Sequence, residues 1–422
     1  MELEPSGYNK IIGLIKRGVN IPNPLTIHLG DEVNLENISS HDVTLYPGCR
    51  IYGEKTVISA GVKLGYEAPV TVDNCQLGQM VELKGGYFTQ SVFLEKSNMG
   101  SGAQVREACI LEEQAGGAHC VGLKQTILFP FVTLGSLINF CDCLMAGGTS
   151  RKAHSEVGSS YIHFNFTPEG DKATASLIGD VPQGVMLNKP PIFLGGQGGM
   201  VGPIRIGYGN VIAAGSILRK DLDVENKLVV GKGHHGTILD RIPVAYPNLV
   251  RIIENNVLYI GNLLALEQWY IHVRRIFFEG REFGMLIHAG LLEKLQMAKD
   301  ERIKRLKDMA AKIKQTSEKQ EGWIDSAKKE FCEKIGLIEE VLKNKTIAHE
   351  GAKEQERFLD ILTKNKEQYG DNYIEIIQNL PSSVSKDGTR WLDSVVKAFC
   401  RRIAQEFPAL NMFKKHCYNL ND

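Results

Sequence analysis

From about Leu25 to Val230 the chain is built of short aliphatic steps that recur every six residues, and no other feature limits its folding so tightly. Ile58-Ser-Ala-Gly-Val-Lys runs into Leu64-Gly. Leu77-Gly-Gln-Met-Val-Glu runs into Leu83. Leu134-Gly-Ser-Leu-Ile-Asn, Val157-Gly-Ser-Ser-Tyr-Ile, and Ile206-Gly-Tyr-Gly-Asn-Val followed by Ile212-Ala-Ala-Gly-Ser-Ile keep the same beat. Helical spacing is hard to find there. A period of six with a small residue behind each aliphatic is the signature of a parallel β-helix. Each hexapeptide makes one flat side of a triangular coil. Its aliphatic residue points inward and stacks on its counterpart one coil away. The small residue sits near the corner, where the turn needs permissive backbone angles. Three sides use about 18 residues, so this stretch provides on the order of eleven coils. The cadence weakens between about 85 and 130, where coils are read from composition rather than from count.

After about Ile242 the grammar changes. Ile252, Ile253, Val257, Ile260, Leu263, Leu264 and Leu266 fall near helical spacing. Residues 291–320 mix Leu, Ile and Met with dense Lys and Glu and contain no Gly or Pro, which predicts a long amphipathic helix. Further helices are expected at roughly 322–348, 350–368, 371–379 and 389–406, with PSSVSKDG at 381–388 as the clearest break. The expected organisation is an N-terminal cap over 1–24, a left-handed parallel β-helix over 25–240 and an α-helical domain over 241–422. Trp269-Tyr270 and Arg274-Arg275 are expected to seat the second domain on the first.

Charge excludes some partners. The 422 residues carry 49 basic and 49 acidic side chains, so bulk electrostatics favours neither nucleic acid nor an anionic membrane. Nine cysteines without framework spacing read as reduced thiols. The first 18 residues lack an uninterrupted apolar core of signal-peptide length, and no apolar run approaches the roughly 20 residues of a bilayer span. A cytoplasmic protein is expected. Cys141 and Cys143 are taken to share one face of a strand, without the second pair a zinc site needs. His234-His235 would point opposite ways on a strand. No metal is expected.

The polar stretch 154-HSEVGSSYIHFNFTPEGDK-172 is where chemistry concentrates. Acyl transfer from a thioester needs a base, a donor for the developing oxyanion, and a groove that aligns the reactants. His154 or His163 could be the base, Asn165 the donor, and Arg151, Lys152 and Lys172 could meet a phosphate. The bland readings stand beside these. His163 alternates with Ile162 and Phe164 and reads equally as a stacked or surface histidine. Asn165 reads as an asparagine of a β-helix interior ladder. Lys172 reads as a solvated turn residue.

The segments 177-LIGD-180, 192-IFLGGQGGMVGPIRIGYGNVIAAGSILRKDL-222 and 163-HFNFTPEGDK-172 resemble the left-handed β-helix acetyltransferase domain of the bifunctional N-acetylglucosamine-1-phosphate uridyltransferase/glucosamine-1-phosphate acetyltransferase family. The nucleotidyltransferase Gly-rich loop of that family is missing. The resemblance implies acetyl-CoA as co-substrate, a sugar phosphate or nucleotide sugar as acceptor, and active sites between the subunits of a homotrimer. It implies substrate contact at Asn165 and Lys172, with Phe166 where the family has Tyr. It implies an acetyl-CoA groove along Ala213, Ala214 and Gly215, with Gly196 replacing a serine, and a coenzyme A phosphate contact at Lys232. His154, in 150-SRKAH-154, best matches the catalytic histidine, although its spacing to Asn165 is short and its following Tyr is absent. An insertion, 181-VPQGVMLNKPP-191, also departs from the pattern. The competing expectation is a non-catalytic β-helix scaffold whose helices bind a partner.

Overall fold

The structure is a computed structural model that describes residues 7–231, 238, 244, 246–317 and 325–413. A parallel β-solenoid of about eleven turns is followed by a helical region. Helix α1 (Tyr8–Lys16) caps the first coil, burying Ile11 and Leu14. Each coil then visits three faces in order. On the first face the strands run from His28–Leu29 through Arg50–Tyr52 and Gly86–Thr89 to Ile217–Leu218. The second includes Val57–Ile58, Ser91–Phe93, Cys109–Leu111, Ser176–Ile178 and Arg205–Ile206. The third runs from Thr44–Leu45 to Leu228–Val229. The strands Gly122–Leu128 and Asn139–Met145 bend across the corner between first and second faces, at Gln125 (φ 51°) and Asp142 (φ 58°). That bend corrects one expectation. Cys141 and Cys143 lie on either side of the corner, not on one face.

The hexapeptide aliphatics form the inward columns. Leu45, Leu64, Leu83 and Met99 stack on the third face, with Leu134, Val157, Leu194 and Ile212 further along. All are buried. The second face differs from the other two because it has an outward apolar column that is buried. Val92, Ile110, Ile127, Leu144 and Leu177 lie in register there, all fully or nearly fully buried. The helical region covers that column.

Helix α2 (Val181–Gly184) lies within the 181–191 insertion. The helical region proper contains α3 (Leu249–Trp269), a π-turn over Tyr270–Arg274, α4 (Arg275–Phe278) and α5 (Gly284–Ser317). It continues with α6 (Ser326–Lys334), α7 (Gly336–Lys343), α8 (Ala352–Tyr369), α9 (Tyr373–Gln378) and α10 (Ser382–Glu406). The segment Leu249–Phe278 is long and apolar enough to cross a bilayer by composition, contrary to the expectation of no such run, but 83% of its apolar window is buried inside the protein. The break expected at 381–388 is instead the first two turns of α10. Gly388 is tolerated there because a Cβ would come within 2.6 Å of Met186 and 2.7 Å of Phe358.

Burying an aliphatic side chain stabilises by about 1.5–3 kcal/mol. The five outward aliphatics of the second face therefore favour docking by roughly 10 kcal/mol before entropy is subtracted. Buried polar pairs fix the register. Tyr270 donates to Glu112 and Arg274 to Glu113, so these two residues seat the helices as expected, both reaching from the π-turn. Arg302 of α5 pairs with Asp142, and Arg251 of α3 with Asp221 at 2.9 Å. The insertion also acts as a tongue. Asn262 accepts from the Val181 amide at 2.8 Å, and Asn188 donates to Ser385 at 3.1 Å.

Candidate active site

The residues singled out in the sequence lie on three different edges of the solenoid. The edge between second and third faces carries the hairpin in which Gly148–Ser150 pairs antiparallel with Ala153–His154. Gly148 (φ 98°) is required there, since a Cβ would lie 2.6 Å from His154 Cα. The Ser150 hydroxyl accepts from the Lys152 and Ala153 amides, both at 3.2 Å, and closes the tip. His154 Nδ1 lies 2.9 Å from the Arg151 carbonyl oxygen. Its Nε2 lies 3.8 Å from Glu156 Oε2, on the third face. Arg151 Nη1 donates to the carbonyls of Gln114 and Phe131 at 3.1 Å and to the Thr133 hydroxyl at 2.8 Å. Lys152 is exposed at the tip.

The edge between first and second faces carries Asn165 and Lys172. Both are exposed, and Phe166 is 73% exposed beside them. Asn165 Oδ1 accepts from the Thr174 hydroxyl at 2.9 Å. The loop is held from the helical side, by Tyr246 donating to Asp171 and Lys312 donating to the Glu169 carbonyl.

The edge between third and first faces carries Gly196, Ala213, Ala214 and Gly215. Backbones stack closely here. A Cβ on Gly158 would lie 2.4 Å from Gly196 N, and one on Gly195 would lie 2.4 Å from Ala214 N. Gly215 (φ 72°) opens on empty space. Exposed apolar side chains flank this edge. Phe193, Val211 and Leu228 form an in-register ladder on the third face, 38%, 41% and 70% exposed. Ile162 and Ile217 stand exposed on the first. Lys232 and His234-His235 lie outside the described residues.

His163 belongs to none of these edges. It faces inward, level with Met200 in the next coil, and is buried. Its Nε2 lies 2.8 Å from the Ser176 hydroxyl, and burial pushes its pKa down to about 4. Ile162 and Phe164 point outward around it because this end of the solenoid has an apolar exterior, which inverts the usual reading of the alternation. The imidazole is held neutral and enclosed in the core.

A side of about six residues spans roughly 20 Å at the rise of a β-strand. His154, Asn165 and the Gly196–Ala214 edge therefore cannot converge within one chain. Two clefts at the seam had no sequence signal. One, of 360 Å³, lies between Asp180, Arg205, Tyr208 and Lys397. The other, of 280 Å³, lies between Glu95, Glu113, Arg281 and Tyr373. Among the described residues no cluster of three or more His, Cys, Asp or Glu could hold a metal.

The protein is a hexapeptide-repeat β-solenoid, and its motifs and coils resemble those of a hexapeptide-repeat acetyltransferase domain. No family model matches it. The chain is similar to proteins named Bifunctional protein GlmU. It is 26% identical over 216 residues to that of Thermotoga maritima, covering 50% of this chain and 42% of the relative. It is 25% identical over 241 residues to that of Nitratidesulfovibrio vulgaris strain DP4, covering 56% and 46%. It is 26% identical over 184 residues to that of Acinetobacter baumannii, covering 38% and 37%. The aligned part of the chain thus spans under half the length of each of these relatives.

Proposed function

We propose that this protein is an acetyl-CoA-dependent acyltransferase acting on a sugar phosphate or nucleotide sugar, working in the cytoplasm as a homotrimer with active sites between subunits. One observation carries the reading. Among the described residues the helical region lies against the second face and the two edges that bound it, and the opposite edge stacks Gly196 and Ala213–Gly215 between two exposed apolar flanks. Bare backbone at an edge lets an extended pantetheine lie close. Exposed aliphatics on both sides are what a neighbouring solenoid would bury. A neighbour packed there would bring its own edge toward the groove, which answers the separation of the three residue sets in one chain. His154 would act as base and Asn165 as donor, with Lys172 and Lys152 meeting phosphate. The relatives' name, a bifunctional protein, and the resemblance of 163–222 to the family's acetyltransferase motifs support this class.

The competing reading is a non-catalytic scaffold. It is favoured by Gly196, which lacks the family's hydroxyl, and by the extent of the helical seam. Calorimetry with acetyl-CoA on the full chain separates the two. Binding that is weakened by Ala214→Trp, followed by turnover of a hexosamine phosphate, is the expected result. No heat of binding with the wild-type chain would end the enzyme reading.

A further inference from the structure

We infer that Arg151, expected from sequence to bind substrate, is instead a positioning residue that fixes which nitrogen of His154 carries the proton. The inference rests on the proposed acyltransferase reading and deepens it. A carbonyl oxygen can only accept, so the 2.9 Å contact between the Arg151 carbonyl and His154 Nδ1 requires the hydrogen on Nδ1. In the neutral ring Nε2 is then the basic atom. It faces Glu156 Oε2 at 3.8 Å, a carboxylate placed to steady the imidazolium once a proton arrives. The partner that sets a histidine's tautomer decides what its other nitrogen can do.

The carbonyl that does this belongs to a hairpin tip, which would be loose by itself. Arg151's own side chain removes that freedom. Its guanidinium reaches back over two earlier coils to Gln114, Phe131 and Thr133, whose hydroxyl donates in turn to Phe131 at 3.0 Å. Both residues whose carbonyls accept sit at corners with left-handed backbone, Gln114 at φ 60° and Phe131 at φ 70°. Their carbonyls therefore stand out from the solenoid as fixed acceptors. The same residue anchors the tip with its side chain and orients the base with its main chain. No other antiparallel pairing occurs among the described residues of the solenoid.

Nitrogen-15 NMR on histidine-labelled full chain tests this without turnover. Neutral His154 should show the Nδ1–H tautomer in the wild type. Arg151→Ala should shift it to a mixture, and Arg151→Lys should restore much of the Nδ1–H form. The His163 resonances, set inside the core, should stay unchanged and so report an intact solenoid. Where transfer is measured, Arg151→Ala should lower kcat by about 10- to 100-fold with KM within about twofold. An Nε2–H tautomer in the wild type, an unchanged tautomer in Arg151→Ala, or a rise in acceptor KM alone overturns the inference. Tautomers behaving as described in a chain that never transfers an acyl group overturn the acyltransferase reading and leave the positioning intact.

Discussion

Arg302→Met is the sharpest probe of how the helical domain sits on the solenoid. Arg302 is 1% exposed and pairs with Asp142 at the corner of the Asn139–Met145 strand. Burial raises the Asp142 carboxyl above its ordinary 3.8, and the guanidinium beside it draws it back down. Removing one partner of a buried pair costs about 3–5 kcal/mol, because the other charge is left stranded. In the variant the folded carboxyl rises further, so the native state keeps a proton that the unfolded chain has released. Stability must then fall as pH rises above the ordinary carboxyl value, by about 1.4 kcal/mol per pH unit until the raised value is passed. Urea unfolding, followed by circular dichroism and by the fluorescence of Trp269 and Trp391, should show a small penalty at pH 5 and about 3–5 kcal/mol at pH 8. The double variant Asp142→Asn/Arg302→Met should recover to within about 1 kcal/mol of wild type and lose the pH slope. A single variant costing less than about 1 kcal/mol at pH 8, or a double variant as damaged as the single, would mean that α5 does not rest on this coil.

Other outcomes follow from the same physics. Glu112, beside Glu113, Arg274 and Tyr270, is pushed up to about 7 by burial, so its burial costs stability as pH rises from its ordinary 4.5 through 7. Glu112→Gln should match wild type at pH 5 and melt higher at pH 8 by differential scanning calorimetry. His163 has the opposite sign. The unfolded chain takes a proton first as pH falls below 6.5 toward 4, so wild-type stability drops in that window, and His163→Leu should flatten the drop in acid urea titrations. Gly195→Val forces a side chain to within 2.4 Å of Ala214 N and should leave the chain in inclusion bodies or lower its melting point by more than 10 °C. Val211→Asp, in the exposed ladder, should change the mass seen by light scattering while leaving the monomer's melting point within a few degrees.

The solenoid was legible because its period is short and its inward positions tolerate little besides aliphatics. A finer signal was there too. Val92-Phe93, Ile110-Leu111, Ile127-Leu128, Leu144-Met145 and Leu177-Ile178 are adjacent apolar pairs spaced roughly a coil apart, except where loops intervene before the last, which means a side buried on both surfaces. The site was less legible. His154 and Asn165 are eleven positions apart in sequence, and only the count of sides between them reveals that they leave by different edges. His163 misled because an apolar exterior reverses the meaning of alternation. The break expected at 381–388 failed for a tertiary reason, since Ser385 accepts from Asn188 of the tongue and Gly388 leaves room for Met186 beside it.

Helix α5 has 34 residues and so extends roughly 50 Å, about the height of ten coils. Along it Glu293 meets Lys55, Arg302 meets Asp142, and Lys312 meets the loop at Glu169. Repeat proteins ordinarily gain or lose units with little penalty, because each unit answers only to its neighbours. Here the helix works as a gauge laid against the stack. Deleting one coil between Lys55 and Asp142 would leave every remaining coil well formed and yet slide the later partners past their marks by about 5 Å. The number of turns in this solenoid is therefore a quantity that the second half of the chain measures, and length variants should be rare among its natural relatives unless α5 changes with them.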